Sequence, residues 1–167
     1  MGDEKTAQNI ESIEAIMPAP VRRDLHFFLE MESIPTITAQ QKGERVLGGK
    51  IIHYDKKPVK AAKELFCNLL APHKPGWTYE QGTPLRLFLV FRYPRRGLVR
   101  EPVLRPKTTK PDADNIAKIF IDCMTRLGFW DDDCQIADYH VVKIEVNSRS
   151  RDYEGEQTGI DVFMGEI

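Results

Sequence analysis

The chain has 167 residues, 24 Lys and Arg against 25 Asp and Glu, a formal net charge of −1, and 41% hydrophobic residues. That length suits one domain with a real core, and the apolar fraction excludes wholesale disorder. No apolar run approaches the roughly 18 residues of a membrane span and no charged-then-apolar leader opens the chain, so the expectation is a cytoplasmic protein without a membrane partner.

The predicted elements follow in chain order. Residues 1–20 read as an N-terminal extension, with Ile10, Ile13, Ile16 and Met17 at helical spacing before Pro18 and Pro20 stop the pattern. A domain spanning 21–167 then begins with a strand-like run from Leu25 to Met31. Gly43, Gly48 and Gly49 punctuate the next polar stretch, which reads as a hairpin or loop before Ile51–Tyr54. From Pro58 to Leu70 the period changes to that of a helix, with Val59, Ala62, Leu65, Phe66 and Leu69 on one stripe. Pro84–Pro94 is nearly continuous in apolar residues, the pattern of a central strand. A basic loop, 95–111, leads into a helix from about Ala113 to Leu127. Its expected buried face is Ala113, Ile116, Ala117, Phe120, Met124 and Leu127, and Gly128 is its stop. Strands follow at Ile136–Val146 and near Ile160–Met164. The expected fold is therefore α/β (α+β), a single domain with a mixed sheet and two main helices packed on it.

Charge is distributed unevenly. Between Arg86 and Lys110 stand eight cations against Glu101 alone, and this block leads into an acidic cluster. Arg92, Arg95, Arg96, Arg100, Arg105, Lys107 and Lys110 are the candidates to hold DNA through its phosphates. The plainer reading of the block is a solvated loop rich in arginine.

The acidic cluster carries the chemistry. Asp112 and Asp114 stand at the helix start, Lys118 follows Asp114 by one turn, and Asp131-Asp132-Asp133 come straight after the helix. Aspartates at helix starts commonly cap, and an Asp–Lys pair at i,i+4 is a routine surface contact of about 0.3–0.5 kcal/mol. If Asp112 is still extended, however, its carboxylate and that of Asp114 can converge, and the strand after the turn can bring Asp133 to them. Hard oxygen donors without neighbouring His or Cys select Mg²⁺, with Mn²⁺ able to substitute. Such an ion acts on phosphodiesters, and Lys118 would offset the charge that builds on the phosphate. The four histidines lack ligand spacing and read as structural or surface residues, Cys67, Cys123 and Cys134 lack the spacing of a zinc site, and Phe129-Trp130 reads as a core plug.

The stretch Pro111-Asp-Ala-Asp-Asn115, Lys118, Asp122, Gly128-Phe-Trp130, Asp132-Asp133, Gln135 and Asp138 resembles the RusA-type Holliday junction resolvases. The likeness rests on about 35 residues in the family's order and spacing, a D-x-D-N-x-x-K helix start followed by a D-D-x-Q turn. It implies a Mg²⁺-dependent endodeoxyribonuclease, phage- or prophage-borne, that acts as a homodimer on four-way DNA junctions. By position it assigns Asp112, Asp114 and Asp133 as metal-binding catalytic carboxylates and Lys118 as the catalytic lysine. The segment from Ile34 to Lys42 departs from the family in being poor in arginine, and the leader is extra. Two further readings stand beside the first: a Mg²⁺ nuclease directed at flaps or forks, and a non-catalytic binder of branched DNA.

Overall fold

A computed structural model describes residues 22–37, 42–95, 104–147 and 157–167. The expected N-terminal extension lies outside the described residues. Those described form two compact units, one gathering residues 22–34, 86–95, 104–108, 138–147 and 157–167, the other residues 35–37, 42–85 and 109–137.

The first unit is a five-stranded sheet. It holds β1 (Arg22–Glu30), β4 (Leu85–Pro94), β5 (Arg105–Pro106), β6 (Ile136–Val146) and β7 (Gly159–Glu166), in the order β1-β7-β4-β6-β5. Strand β4 is central and buried on both faces, as its unbroken apolar run predicts. β1 pairs antiparallel with β7, and β5 with β6. Arg86 meets Asp138 near the start of both strands and the Arg95 amide donates to Val146 near their ends, so β4 and β6 run parallel. Contacts between β4 and β7 run the other way, Phe88 with Phe163 and Arg92 with Asp161. The sheet is therefore mixed. Phe88, Val90, Ile144 and Val146 form one cluster of its core.

Arg92 is the sheet's buried charge. It is 8% exposed, and its guanidinium grips the Asp161 carboxylate through two donors under the ring of Phe28. A planar fork is suited to this bidentate pairing. The pair registers β4 against β7.

The second unit carries a hairpin and two helices. Strands β2 (Lys42–Leu47) and β3 (Lys50–Asp55) pair through a turn at Gly48 and Gly49, whose φ angles of 58° and 77° suit a tight primed turn. Helix α1 (Lys57–Leu70) accepts Pro58 in its first turn, where no backbone donor is needed. Its buried residues are Val59, Ala62, Phe66 and Leu70. The expected stripe included Leu65, which is instead exposed, because the face through Phe66 and Leu70 turns it outward. Helix α2 (Ala113–Leu127) has the predicted bounds and buries Ile116, Ala117, Ile119, Phe120, Cys123 and Met124. Ala113 and Leu127, at its ends, are only half-buried. Gly128, at φ 78°, returns its N–H to the carbonyls of Met124 and Thr125 and closes the helix. Phe66 meets Phe120 edge to face at 5.3 Å across the two helices.

Among the described residues no helix is long and apolar enough to cross a membrane. Burial pushes the Cys123 thiol up to about 12, the behaviour of an inert core residue.

Removing one partner of a buried pair strands the other charge. Arg92→Ala is therefore expected to lower unfolding stability by about 3–5 kcal/mol in urea, against within about 0.5 kcal/mol for Arg95→Ala, whose side chain has no ion pair among the described residues.

Candidate active site

The start of α2 displays its acids rather than using them up. Asp112 is the N-cap residue with extended backbone angles of −67° and 141°, and its side chain makes no cap hydrogen bond. The extended alternative is the one the chain adopts. Its carboxylate accepts only a long bond, 3.4 Å, from the Asn115 side-chain amide. Asp114 lies in the first turn, where negative charge is favoured by the helix dipole. Lys118 stands one turn further along, and both side chains are exposed. The routine i,i+4 ion pair between Asp114 and Lys118 is not formed. Both charges remain available to a third party.

Asp122, which continues this row, is differently employed. Lys63 on α1 donates to Asp55 at the end of β3 at 2.8 Å and lies 3.8 Å from Asp122. One ammonium thus ties the hairpin base to both helices. Its hydrogen bond to Asp55 raises the Lys63 pKa above the ordinary 10.5 against the opposing effect of burial, with the charges of Asp55 and Asp122 adding to the rise.

After Gly128 the chain is held by a second device. Phe129 and Trp130 are buried, as a core plug should be, and the Trp130 indole donates to Thr125 at 2.8 Å. Asp132 then caps the single 3-10 turn Asp133–Gln135, accepting from the Cys134 amide, and that backbone donor holds its carboxyl below the ordinary range. Gln135 closes the box. Its carbonyl oxygen accepts from the amides of Asp131 and Asp132 at 3.0 and 3.2 Å. Its amide donates to the carbonyls of Glu80 and Thr83 at 2.8 and 3.2 Å. All four hydrogen-bonding positions of one buried side chain orient the turn that presents Asp133, which is exposed.

Lys63 and Gln135 carry no role in the sequence reading. Gln135 has a local signal, since D-x-x-Q is capping-box spacing. Lys63 has none, because its partners are 8 and 59 positions away.

The structure brings Asp112, Asp114 and Lys118 together on one helix start. Among the described residues no three acidic, His or Cys side chains form a metal-holding group.

The basic block is also sorted by its neighbours. Arg92 and Lys107 are corrected as DNA-facing candidates. Arg92 is locked to Asp161, while the Lys107 side chain, 13% exposed, lies 3.9 Å from Glu145 and over the Tyr93 ring. Arg105 meets Glu145 at 2.7 Å. Arg95 and Lys110 make no ion pair among the described residues, and Arg96 and Arg100 lie outside them.

The exposed acids and lysine at the start of α2 form a candidate site for phosphodiester chemistry. Residues 33–162 match the family model described as Endodeoxyribonuclease RusA. A relative from Lactococcus phage r1t, named crossover junction endodeoxyribonuclease rusA, is 36% identical over 110 residues, 66% of this chain and 80% of the relative. The Escherichia coli K12 and Enterobacteria phage 82 proteins of that name are each 44% identical over 46 residues, 28% of this chain and 38% of theirs. The chain belongs to the RusA family and is a nuclease.

Two outcomes follow from the supports of this site. Gln135→Leu, which takes a hydrogen-bond partner from the amides of Asp131 and Asp132 and from the carbonyls of Glu80 and Thr83, is expected to lower stability by about 1–3 kcal/mol and to speed hydrogen exchange at Asp131 and Asp132. A raised lysine pKa stabilises the fold fully below its ordinary value and is lost as pH climbs through the folded one. The stability difference between the wild type and Lys63→Met should therefore hold below pH 10.5 and shrink above it, as read by chemical denaturation.

Proposed function

We propose that the chain is a divalent-cation-dependent, structure-specific endodeoxyribonuclease that resolves four-way DNA junctions by paired nicks, and that it is of phage or prophage origin. The observation that carries this is the start of α2: Asp112 is not spent on capping, and Asp114 and Lys118 are not spent on each other.

The donor set fits a hard cation, since Asp112, Asp114 and Asp133 offer only exposed carboxylate oxygens. These three would hold Mg²⁺ or Mn²⁺ once Asp133 is brought to the helix start. The chemistry such a cation supplies when bound is positive charge against the scissile phosphate and the leaving oxygen. Lys118 adds a second positive charge from the protein side, and the first amides of α2 aim partial positive charge the same way. Asp132 and Gln135 orient the turn rather than meet the substrate.

A four-way junction must be cut on two opposed strands, and its near two-fold symmetry calls for two sites related by a two-fold axis, hence a homodimer. Arg95, Arg96, Arg100 and Lys110 hold the arms by their phosphates, so binding weakens steeply with salt. The curated relatives' shared name, crossover junction endodeoxyribonuclease, supports this substrate.

The test is a gel assay on a synthetic four-way junction with and without Mg²⁺. Symmetric paired nicks are expected from the wild type with Mg²⁺. Asp114→Asn and Lys118→Ala should each cut at least about 100-fold more slowly while still binding the junction. Undiminished cutting by Asp114→Asn would overturn the site assignment, and tight binding by the wild type without cutting would overturn the enzymatic reading.

A further inference from the structure

The β2–β3 hairpin is unusual for what it leaves in solvent. Val46, Leu47 and Ile51 surround its glycine turn and are 71%, 61% and 64% exposed. Pairing in the ladder sets their faces. Val46 opposes Ile51 on one side, while Leu47 opposes Lys50 and Arg45 opposes Ile52 on the other. The tip is thus apolar on both faces. A hairpin that docks on a protein surface, or packs on its own core, segregates its apolar residues to one face.

Arg45 and Lys50 flank the apolar residues, and both are exposed with no ion pair among the described residues. Of the hairpin's acids, Asp55 is held by Lys63 and Glu44 lies 3.2 Å from the His53 ring, which leaves the two cations Arg45 and Lys50 against Glu44 near the tip. The uncompensated charge at the tip is therefore positive. Aliphatic side chains between free cations fit a surface that is apolar inside and anionic outside, which is the exposed end of a stack of base pairs.

We infer that this hairpin is a branch-point wedge: Val46, Leu47 and Ile51 cover unstacked bases at the junction centre while Arg45 and Lys50 hold the flanking phosphates. The inference deepens the junction-resolving reading and rests on it. Apolar wedges elsewhere open continuous duplex at a cost of a few kcal/mol per step. At a branch stacking is already interrupted, so the same side chains discriminate for a junction and against linear duplex. A second copy of the chain is the weaker occupant. Three aliphatic side chains divided between two faces fall far short of the ~800 Å² per partner that a stable interface buries. The hairpin's position is not left to a flexible joint, because Lys63 anchors its base to α2, the helix that bears Asp114 and Lys118.

The test uses the full chain and a four-way junction with 2-aminopurine beside the branch. In the Asp114→Asn background, binding should raise the fluorescence as the base unstacks. Adding Val46→Thr, Leu47→Thr and Ile51→Thr, which keep strand propensity and leave the fold intact by circular dichroism, should reduce that rise about five-fold or more. With the catalytic aspartate restored, the threonine variant should cut a fully paired junction about tenfold more slowly and recover on one whose central bases are already unpaired. Arg45→Ala with Lys50→Ala should instead weaken binding to both junctions and flatten its salt dependence. An undiminished fluorescence rise in the threonine variant would overturn the wedge. So would its conversion from dimer to monomer by light scattering, which would make the hairpin a subunit contact. Failure of the wild type to nick either junction would instead count against the nuclease reading, since the fluorescence experiment reads binding alone.

Discussion

The unit that carries the candidate site is organised around one ammonium between two carboxylates. Lys63 joins Asp55, where the hairpin ends, to Asp122, two turns along the helix that begins with Asp112 and Asp114. A salt bridge on an open surface contributes little, because both partners are well solvated and held only at a cost in entropy. Here the charges are partly withdrawn from water and the bond is geometric as much as energetic. A two-stranded hairpin is marginal by itself. Anchored at its base, it projects a fixed tip from the same framework that holds Asp114 and Lys118.

A second theme is the separation of charge that is neutralised from charge that is kept available. Arg92, Arg105, Lys107, Asp138 and Glu145 are drawn into pairs within the sheet unit. Asp138 is held below the ordinary carboxylate range, first by its hydrogen bond from Arg86 and then by His140. The helix start and the hairpin tip are treated in the opposite way, with Asp114, Lys118, Arg45 and Lys50 unpaired among the described residues. Paired charges set strand register, while unpaired ones stay open to a charged ligand.

The turn after α2 shows how a buried polar side chain can set the direction of an exposed neighbour. Gln135 satisfies four backbone groups from one buried position, fixing Asp131 and Asp132 on one side and the 80–83 segment on the other. Asp133 thereby leaves the turn at a set angle. The conformational entropy of ordering that turn is spent in folding.

The sequence by itself determined the elements whose patterns are local. Helix α2 and strand β6 have their predicted bounds, because a 3.6-residue stripe ended by a left-handed glycine, and an alternating run, are written in neighbouring residues. The Asp-x-Asp helix start, the lysine one turn on and the acidic turn were legible for the same reason. Tertiary structure alone decided which charges are free. Arg92 and Lys107 looked like their neighbours in a basic block, yet Asp161 and Glu145, 69 and 38 positions away, remove them from the DNA-facing set. Leu65 looked like part of the core and faces solvent. Periodicity along a chain reports what is buried, but an ion pair or a shared site is a property of distance in space, and that is set only when distant segments are brought together.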